Sequence, residues 1–250
     1  MNLESKAKEI RLKVLDLVFN SKHGHIGGSF SCVEILTVLY YTDLLKDTKF
    51  ILSKGHACLP LYVVLADKGL ISQEELESFC KDGGLAGHPE RRKGIECDTG
   101  SLGNGLGIGV GMALSGKKVI VLIGDGELYE GSTWEALLFI AHHKLPVTLI
   151  IDRNQQIVQD FTEDINQLEP LENKLESFGL YTVEINGHNI QGVIEVFEHY
   201  PDLRPLCIIA NTVKGKGVSF MEKNLCWHHS IPTEEEYELA KSELNAIDTH

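Results

Sequence analysis

Apolar positions along the chain follow two periodicities, which divide the sequence into alternating strands and helices. Unbroken runs of aliphatic and β-branched residues occur at 119–123, 147–151 and 206–210. Such runs are typical of strands that are covered on both faces, as in a parallel sheet. Two further segments, 49–53 and 181–185, are also predicted to be strands.

Outside these strands, apolar residues recur at the spacing of amphipathic helices. The predicted helices span 3–19, 33–40, 59–66, 132–144, 171–178, 190–199 and 234–247, and a capping box at 72–75 predicts another through residue 80. Strands that alternate with helices predict the α/β class, with one parallel sheet and helices on both of its faces. No repeat or linker interrupts the pattern, so we expect a single domain over 1–250, in which 230–250 form a C-terminal acidic helix.

The composition is that of a folded globular chain, and its charge narrows the range of partners. The 250 residues are 43% hydrophobic, and 36 acidic against 23 basic residues give a formal net charge of −13. A field of that sign repels nucleic acid and anionic membranes, so neither is an expected partner. No apolar run approaches the roughly 20 residues of a membrane span, and no signal-peptide core is present at the N-terminus. Six cysteines without a CxxC pair fit a reducing compartment, which predicts a cytoplasmic protein.

The candidate chemistry lies where predicted strands end, because ligands of α/β sheets bind at the carboxyl ends of the strands. Asp125 follows one buried strand, and Asn154 follows the next strand along the chain. If these strands are neighbours, a carboxylate and an amide oxygen converge, and such oxygens suit a hard cation such as Mg²⁺. Gly126 has no Cβ, so a phosphate can approach its backbone closely. The structural alternative is a capping Asp and a turn Asn.

The wider pattern resembles the transketolase family, and in particular the N-terminal subunit of its split, two-chain members. The GDG at 124–126 followed by Asn154 is similar to the thiamine diphosphate signature. Further matching stretches are HGHIGGS at 23–29, LSKGH at 52–56, GHPE at 87–90, TGSLGNG at 99–105, GDGELYEGSTWEA at 124–136 and TVKGKGVS at 212–219. The resemblance covers about residues 5–230 and implies a thiamine diphosphate-binding fold of the diphosphate-binding type.

The resemblance implies a thiamine diphosphate cofactor that is held through Mg²⁺, or through another divalent cation such as Ca²⁺ or Mn²⁺. Asp125, Asn154 and the backbone carbonyl of Gln156 match the metal ligands of the family. Positions that match other cofactor contacts are Gly100 and Leu102 beside the ring system, Gly124 and Gly126 at the diphosphate, and Val158 against the thiazolium.

Four histidines and one glutamate match catalytic positions of the family. His25 and His88 match residues that contact the hydroxyls of the donor sugar, whereas His56 and His228 match residues that reach the diphosphate and the active-site channel. Glu130 matches a carboxylate that helps to link active sites across the subunit interface, and it is also counted among the cofactor contacts. Because His229 stands where many relatives have glycine, the choice between His228 and His229 stays open. Five further histidines match nothing and are expected at the surface, namely His142, His143, His188, His199 and His250.

The resemblance also implies that part of the active site belongs to another chain. In the family, a glutamate on a pyrimidine-binding domain activates the cofactor, and nothing in this sequence resembles that domain. We therefore expect a transferase of the transketolase type that moves a two-carbon ketol unit from a ketose (phosphate) donor to an aldose acceptor. It would be active only with a C-terminal, pyrimidine-binding partner subunit, in an α₂β₂ heterotetramer.

Other interpretations of the same motifs stay open. The α chain of a 2-oxoacid dehydrogenase, a deoxyxylulose phosphate synthase and a non-catalytic scaffold half share parts of the pattern. The glycine series at 103–111 has no strand directly before it, which argues against a dinucleotide-binding fingerprint. Lys214 and Lys216 do not complete a P-loop, so a solvated basic turn and a functional role are both compatible with them.

Overall fold

Five parallel strands form the centre of the structure, which is a computed structural model that describes residues 1–158, 160–201 and 204–247. The strand order is β1-β2-β3-β5-β4. The strands are β1 Thr48–Leu52, β2 Lys118–Gly124, β3 Val147–Arg153, β4 Tyr181–Asn186 and β5 Leu206–Asn211. The predicted parallel α/β sheet is confirmed, and each strand lies within about two residues of its predicted bounds.

Helices precede or follow most strands and cover both faces of the sheet. In chain order they are α1 Leu3–Ser21, α2 Ile26–Ser31, α3 Val33–Tyr41, α4 Cys58–Asp67, α5 Gln73–Glu77, α6 Asn104–Leu114, α7 Gly131–His143, α8 Thr162–Ile165, α9 Leu171–Ser177, α10 Ile190–His199 and α11 Glu234–Ala246. No helix in the described part of the chain combines the length and the apolar character needed to cross a bilayer.

The core has two layers because successive residues of a strand point to opposite faces. On β2, Ile120 and Leu122 pack in one buried cluster with α1, α3 and α4, whereas Val119 and Val121 pack in a second cluster with α6, α7 and α9. This explains why the strands are apolar at every position rather than at alternate positions.

Local sequence signals set several helix ends. The capping box predicted at Ser72 is present, with Ser72 and Glu75 bonding to each other's backbone N–H groups, and Thr233 and Glu236 form another at the start of α11. The helix after Ser72 ends at Glu77 rather than at residue 80, because Cys80 adopts a left-handed backbone with φ of 55°. Residues 248–250, the end of the predicted C-terminal segment, lie outside the described residues.

The short helix α2 near the carboxyl end of the sheet was absent from the sequence prediction. It lies within the HGHIGGS motif, and all six of its residues are buried. The glycine-rich series forms α6, whose Gly109 lies so close to β2 that a Cβ there would be 2.7 Å from Val121 Cγ2. The absence of a side chain at Gly109 therefore allows α6 to pack closely against β2.

Candidate active site

The tips of β2 and β3 are neighbours, as the sequence predicts. Gly124 lies opposite Asp152 in the parallel register, so Asp125 and Asn154 follow adjacent strand ends. The Asp125 carboxylate accepts hydrogen bonds from the backbone N–H groups of Gln155, at 2.6 Å, and of Gly126, at 2.9 Å. An acid and an amide are therefore held together at the carboxyl edge of the sheet.

Burial makes the ionised form of the Asp125 carboxylate less favourable. The residue is 2% exposed, and burial together with the nearby Asp152 carboxylate raises its pKa to about 7. A bound cation would favour the ionised form of such a group, since an opposite charge lowers the pKa of a carboxyl. Asp125 is therefore a carboxylate whose surroundings favour either a proton or a cation.

The oxygen atoms around Asp125 fit a hard divalent cation. Asn154 contributes an amide oxygen, which accepts the backbone N–H of Gln156 at 3.1 Å. The side-chain oxygen of Gln156 is buried and lacks a hydrogen-bond partner. No group of three or more His, Cys, Asp or Glu side chains in the described ranges could hold a metal ion. A cation at this edge would therefore have few protein ligands and would keep positions for phosphate and water, as Mg²⁺ prefers.

A buried ion pair lies behind these residues, and sequence reasoning assigned it no role. The Lys54 ammonium pairs with the Asp152 carboxylate, and both side chains are buried. Lys54 also donates to the carbonyl of Gly28 at 2.9 Å, and the Ser31 hydroxyl donates to Asp152 at 2.5 Å. Burial alone would lower the pKa of Lys54, but the Asp152 carboxylate raises it above its ordinary value. The pair joins β1, β3 and α2 beneath the site.

The four matched histidines lie in one cluster. The ring centroid of His25 is 5.4 Å from that of His56, 6.1 Å from that of His88 and 5.1 Å from that of His228. The sequence places these residues on four separate segments, which meet at the carboxyl edge of the sheet. The sequence relates these four histidines to one another only through their resemblance to family motifs. The fold shows that they lie close together in space.

The histidine cluster favours neutral imidazoles. Burial, with smaller effects from neighbouring histidines and lysines, lowers the pKa of His25 to about 4 and that of His228 to about 3. Burial and the Lys54 ammonium also lower the pKa of His56 well below its ordinary value. Neutral imidazoles can both donate and accept hydrogen bonds, which suits the recognition of sugar hydroxyls.

His228 and His229 occupy different environments. The His228 ring lies between His25 and His56, 5.4 Å from the latter, and its Nδ1 atom is buried without a hydrogen-bond partner. His229 also contacts His25, at 4.5 Å, but its side chain is exposed. His228 is therefore the more enclosed of the two and is the one that contacts both His25 and His56.

The loop at 98–105 packs closely on the SKGH segment. Gly100 has a φ of 129°, and a Cβ there would be 2.6 Å from the ring of His88. A Cβ on Gly55 would lie 2.7 Å from the backbone nitrogen of Gly100. These approaches explain why glycine is needed at both positions. The loop thus brings the predicted contact residue Leu102, which is exposed, to the rim of the site.

Several predicted contact residues face solvent at this rim. Val158 is 56% exposed, and Glu130 is also exposed. Glu130 lies beside the same loop, because a Cβ on Gly103 would be 2.5 Å from its Cβ. Glu130 therefore lies beside this loop, and neither Glu130 nor Val158 is enclosed by the chain itself.

The alternative of a solvated basic turn is wrong for Lys214. This lysine is buried, and its ammonium donates to the carbonyl of Ile157 at 2.8 Å. Burial and the nearby Lys54 ammonium lower its pKa to about 8. Lys216 differs, because it is partly exposed and pairs with Glu222 at 3.4 Å.

The expectation that His188 lies at the surface is also wrong. Its Nε2 atom accepts the backbone N–H of Val213 at 2.8 Å, so Nδ1 carries the proton and donates to Glu34 at 2.9 Å. Glu34 in turn forms a buried ion pair with Arg11. His188 therefore anchors the segment that leads to Lys214. The surface expectation is confirmed for His142, His143 and His199, whereas His250 lies outside the described residues.

Comparison with known proteins gives one consistent result. The family model described as the transketolase thiamine diphosphate-binding domain matches residues 3–246. The chain is 43% identical to a subunit of the apulose-4-phosphate transketolase of Actinobacillus succinogenes, over 97% of this chain and 95% of that subunit. It is 40% identical to the protein of the same name from Phocaeicola vulgatus, over 97% of this chain and 94% of the relative.

The similarity extends to three-dimensional structure. The crystal structure of transketolase from Campylobacter jejuni superimposes with a TM-score of 0.90 at 28% sequence identity, and the match covers 99% of this chain. This chain spans 44% of that solved chain.

Proposed function

We propose that this chain, which belongs to the transketolase family and contains its thiamine diphosphate-binding domain, is the cofactor-binding subunit of a two-chain transketolase. It would transfer a two-carbon ketol unit from a ketose or ketose phosphate donor to an aldose acceptor. The observation on which the proposal depends is the meeting, at one sheet edge, of the Asp125–Asn154 strand tips and the histidine cluster.

We propose that Asp125, Asn154 and the backbone carbonyl of Gln156 bind Mg²⁺, with Ca²⁺ or Mn²⁺ as possible replacements. The cation would bridge these oxygens to the cofactor diphosphate, beside the backbone of Gly124 and Gly126. A bridging cation offsets the repulsion that a net charge of −13 imposes on a diphosphate. The raised pKa of Asp125 supports this assignment, because the buried carboxylate gains most from an adjacent positive charge.

The histidines have proposed roles in orienting substrate and moving protons. Thiamine diphosphate, when bound, supplies the electron sink that carbon–carbon cleavage and formation require. His25 and His88 would hydrogen-bond the donor hydroxyls, and His56 and His228 would line the path between the diphosphate and the substrate. The low pKa values of His25 and His228 support neutral rings, each of which can donate one hydrogen bond to a hydroxyl and accept another.

We propose that Gly100, Leu102 and Val158 contact the ring system of the cofactor, and that Glu130 reaches toward the neighbouring subunit. The exposure of Leu102, Val158 and Glu130 fits this assignment, because a cofactor and a partner chain would cover them.

A second protein chain is part of the proposal. The two relatives from Actinobacillus succinogenes and Phocaeicola vulgatus are each named as one subunit of a transketolase, which implies a further subunit in those enzymes. Apolar side chains beside the site are exposed here, including Phe161 at 41% and Ile165 at 47%. We propose that they pack against a pyrimidine-binding partner that brings the activating glutamate, in an α₂β₂ assembly. Sugars or sugar phosphates are the proposed substrates of the complex, and neither nucleic acid nor a membrane is a proposed partner.

The alternative activities are not favoured, since the two relatives compared above are transketolase subunits. We also propose a cytoplasmic location, which is supported by the free state of all six cysteines.

The deciding experiment combines the purified chain with its partner subunit, thiamine diphosphate and Mg²⁺. We expect ketol transfer from xylulose 5-phosphate or hydroxypyruvate to a panel of aldoses only when both subunits are present. The chain alone should still gain thermal stability when cofactor and Mg²⁺ are added together. Robust transfer by the chain alone would overturn the partner requirement. Turnover of pyruvate but not of ketoses by the complex would overturn the transketolase assignment.

A further inference from the structure

Glu127 is a buried carboxylate at the centre of the site, and neither the motifs nor the chemistry proposed above give it a role. It follows the GDG motif in a short 3₁₀ turn, Asp125–Tyr129, and is 1% exposed. Its carboxylate oxygens are instead occupied by hydrogen-bond donors of the protein. Burial raises the pKa of its carboxyl because it disfavours the ionised form. The hydrogen bonds that the carboxylate accepts act in the opposite direction and favour the ionised form.

The Glu127 carboxylate accepts three hydrogen bonds from three separate segments. Oε1 accepts the Ser53 hydroxyl at 2.6 Å and the backbone N–H of Gly103 at 3.1 Å. Oε2 accepts the backbone N–H of Gly124 at 3.1 Å. Ser53 opens the SKGH segment, Gly103 closes the loop that contains Gly100 and Leu102, and Gly124 directly precedes Asp125.

The three segments have little other room for adjustment. A Cβ on Gly105 would lie 2.3 Å from Ser53 Oγ, and the carbonyl of Gly103 accepts the Ser132 hydroxyl at 3.0 Å. Gly103 itself has a φ of 82°, which the tight entry into α6 requires. A carboxylate with two acceptor atoms is the group that can satisfy donors on opposite sides at once.

We infer that Glu127 is a positioning residue, which fixes the cofactor-contact loop at 100–103 against the SKGH segment and the metal-binding strand tip. This inference rests on the proposed function for the identity of the ligand, but the joining of the three segments does not depend on it. Glu127 acts through these segments and does not touch the reacting atoms.

The test variant is Glu127→Gln, which keeps the shape of the side chain but replaces one acceptor oxygen by a donor. Whichever way the amide turns, it faces the N–H of either Gly103 or Gly124, so one hydrogen bond is lost. The matched control is Thr133→Val. The buried Thr133 hydroxyl donates to the backbone carbonyl of Glu127 at 2.8 Å, so its loss destabilises the same turn without touching the three segments.

The first readout is amide hydrogen exchange of the full chain without ligands. We expect Glu127→Gln to increase exchange roughly tenfold in peptides that contain residues 53–56 and 101–106, while β3 and β5 keep their protection. The control variant should lower the midpoint of thermal unfolding without this local increase. Unchanged exchange in Glu127→Gln, or an equal local increase in both variants, would overturn the inference.

The second readout is the dissociation constant for thiamine diphosphate in the presence of Mg²⁺. We expect a rise of roughly tenfold for Glu127→Gln, the effect of losing about one hydrogen bond to a charged group, and no change for Thr133→Val. Equal affinities of both variants and the unaltered chain would contradict the role of Glu127. Failure of the unaltered chain to bind would instead contradict the proposed function, and the exchange result would still decide whether Glu127 joins the segments.

Discussion

The carboxylate of Asp125 accepts a 2.6 Å hydrogen bond from the backbone N–H of Gln155, which joins the end of β2 directly to the residues that follow β3. The bond fixes the carboxylate beside Asn154 and the Gln156 backbone. The proposed metal ligands are therefore positioned by the protein before any cation arrives, and preorganised ligands bind with a smaller loss of entropy.

Replacing Asp125 by Ala is expected to weaken Mg²⁺-dependent binding of thiamine diphosphate by more than about 100-fold. The change removes the one charged oxygen ligand of the proposed set, and Mg²⁺ depends on few protein ligands. Calorimetric titration of the chain with cofactor, with and without Mg²⁺, measures the effect. Glu172→Ala, at an exposed acidic position on α9, is the control for loss of one negative charge. Equal affinities of the Asp125 variant and the unaltered chain would refute the metal assignment.

The buried histidines are expected to destabilise the ligand-free chain as the pH decreases from about 6.5 toward 4, because burial lowers the pKa of His25 from 6.5 to about 4. Over this range these histidines bind protons in the unfolded chain that they exclude in the folded chain, so their titration favours unfolding in acid. Asp125, whose pKa is raised to about 7, acts in the opposite direction over the same range. Each such histidine contributes at most about 1.4 kcal/mol per pH unit, and partial exposure reduces this.

Urea unfolding at several pH values measures this dependence. His25→Gln and His228→Gln should each raise the stability at pH 4 relative to that at pH 7, compared with the unaltered chain, because the variant side chain cannot titrate. His199→Gln, at an exposed position, should leave the slope unaltered. A slope that is the same in all three variants would show that other groups cause the loss of stability.

His228→Asn is expected to reduce kcat/KM of the two-subunit enzyme by roughly 100-fold, an effect of the size produced when a group that positions the substrate is lost. His229→Asn should reduce it less than about threefold. The reason is that His228 lies between His25 and His56 with a buried, unpartnered nitrogen, whereas His229 is exposed. Steady-state kinetics of both variants decide the question, and a larger loss for His229 would reverse the assignment.

Ile165→Asp is expected to weaken association with the partner subunit by more than about tenfold, since it places a charge in an apolar contact. Thermal unfolding of the isolated chain should hardly change, because the side chain is already 47% exposed. Leu239→Asp is the matched control, since Leu239 is 49% exposed but lies on α11. Surface plasmon resonance against the partner measures both. Equal effects of the two variants would place the interface elsewhere.

The strands and most helices could be predicted from the sequence because their signals are local. The apolar run at 119–123 identifies β2, and the serine and glutamate at 72 and 75 identify the start of α5. The helix α2 escaped prediction because the short segment from Ile26 to Ser31 is buried on all sides, so it has no polar face to give a period. The early end of α5 depends on the left-handed backbone of Cys80. A cysteine rarely adopts this conformation, so the residue type does not predict it.

The pairing of Asp125 with Asn154 followed from the sequence, because consecutive parallel strands are often neighbours. The Lys54–Asp152 pair did not follow, since it joins residues 98 positions apart whose types are usually exposed. His188 was misjudged for a similar reason. Its contact with Glu34 could not be predicted from neighbouring residues, because Glu34 lies 154 positions away in the sequence.

By itself the sequence determined the order of strands and helices, the two-sided sheet and the motifs that identify the family, because periodicity and turn chemistry act over a few residues. Only the tertiary structure decided which polar groups are buried together, whether Glu127 and Lys214 face solvent, and how the histidines share one cluster. Those features depend on contacts between distant segments and on the loss of water around them, and neither is encoded in the spacing of residues along the chain.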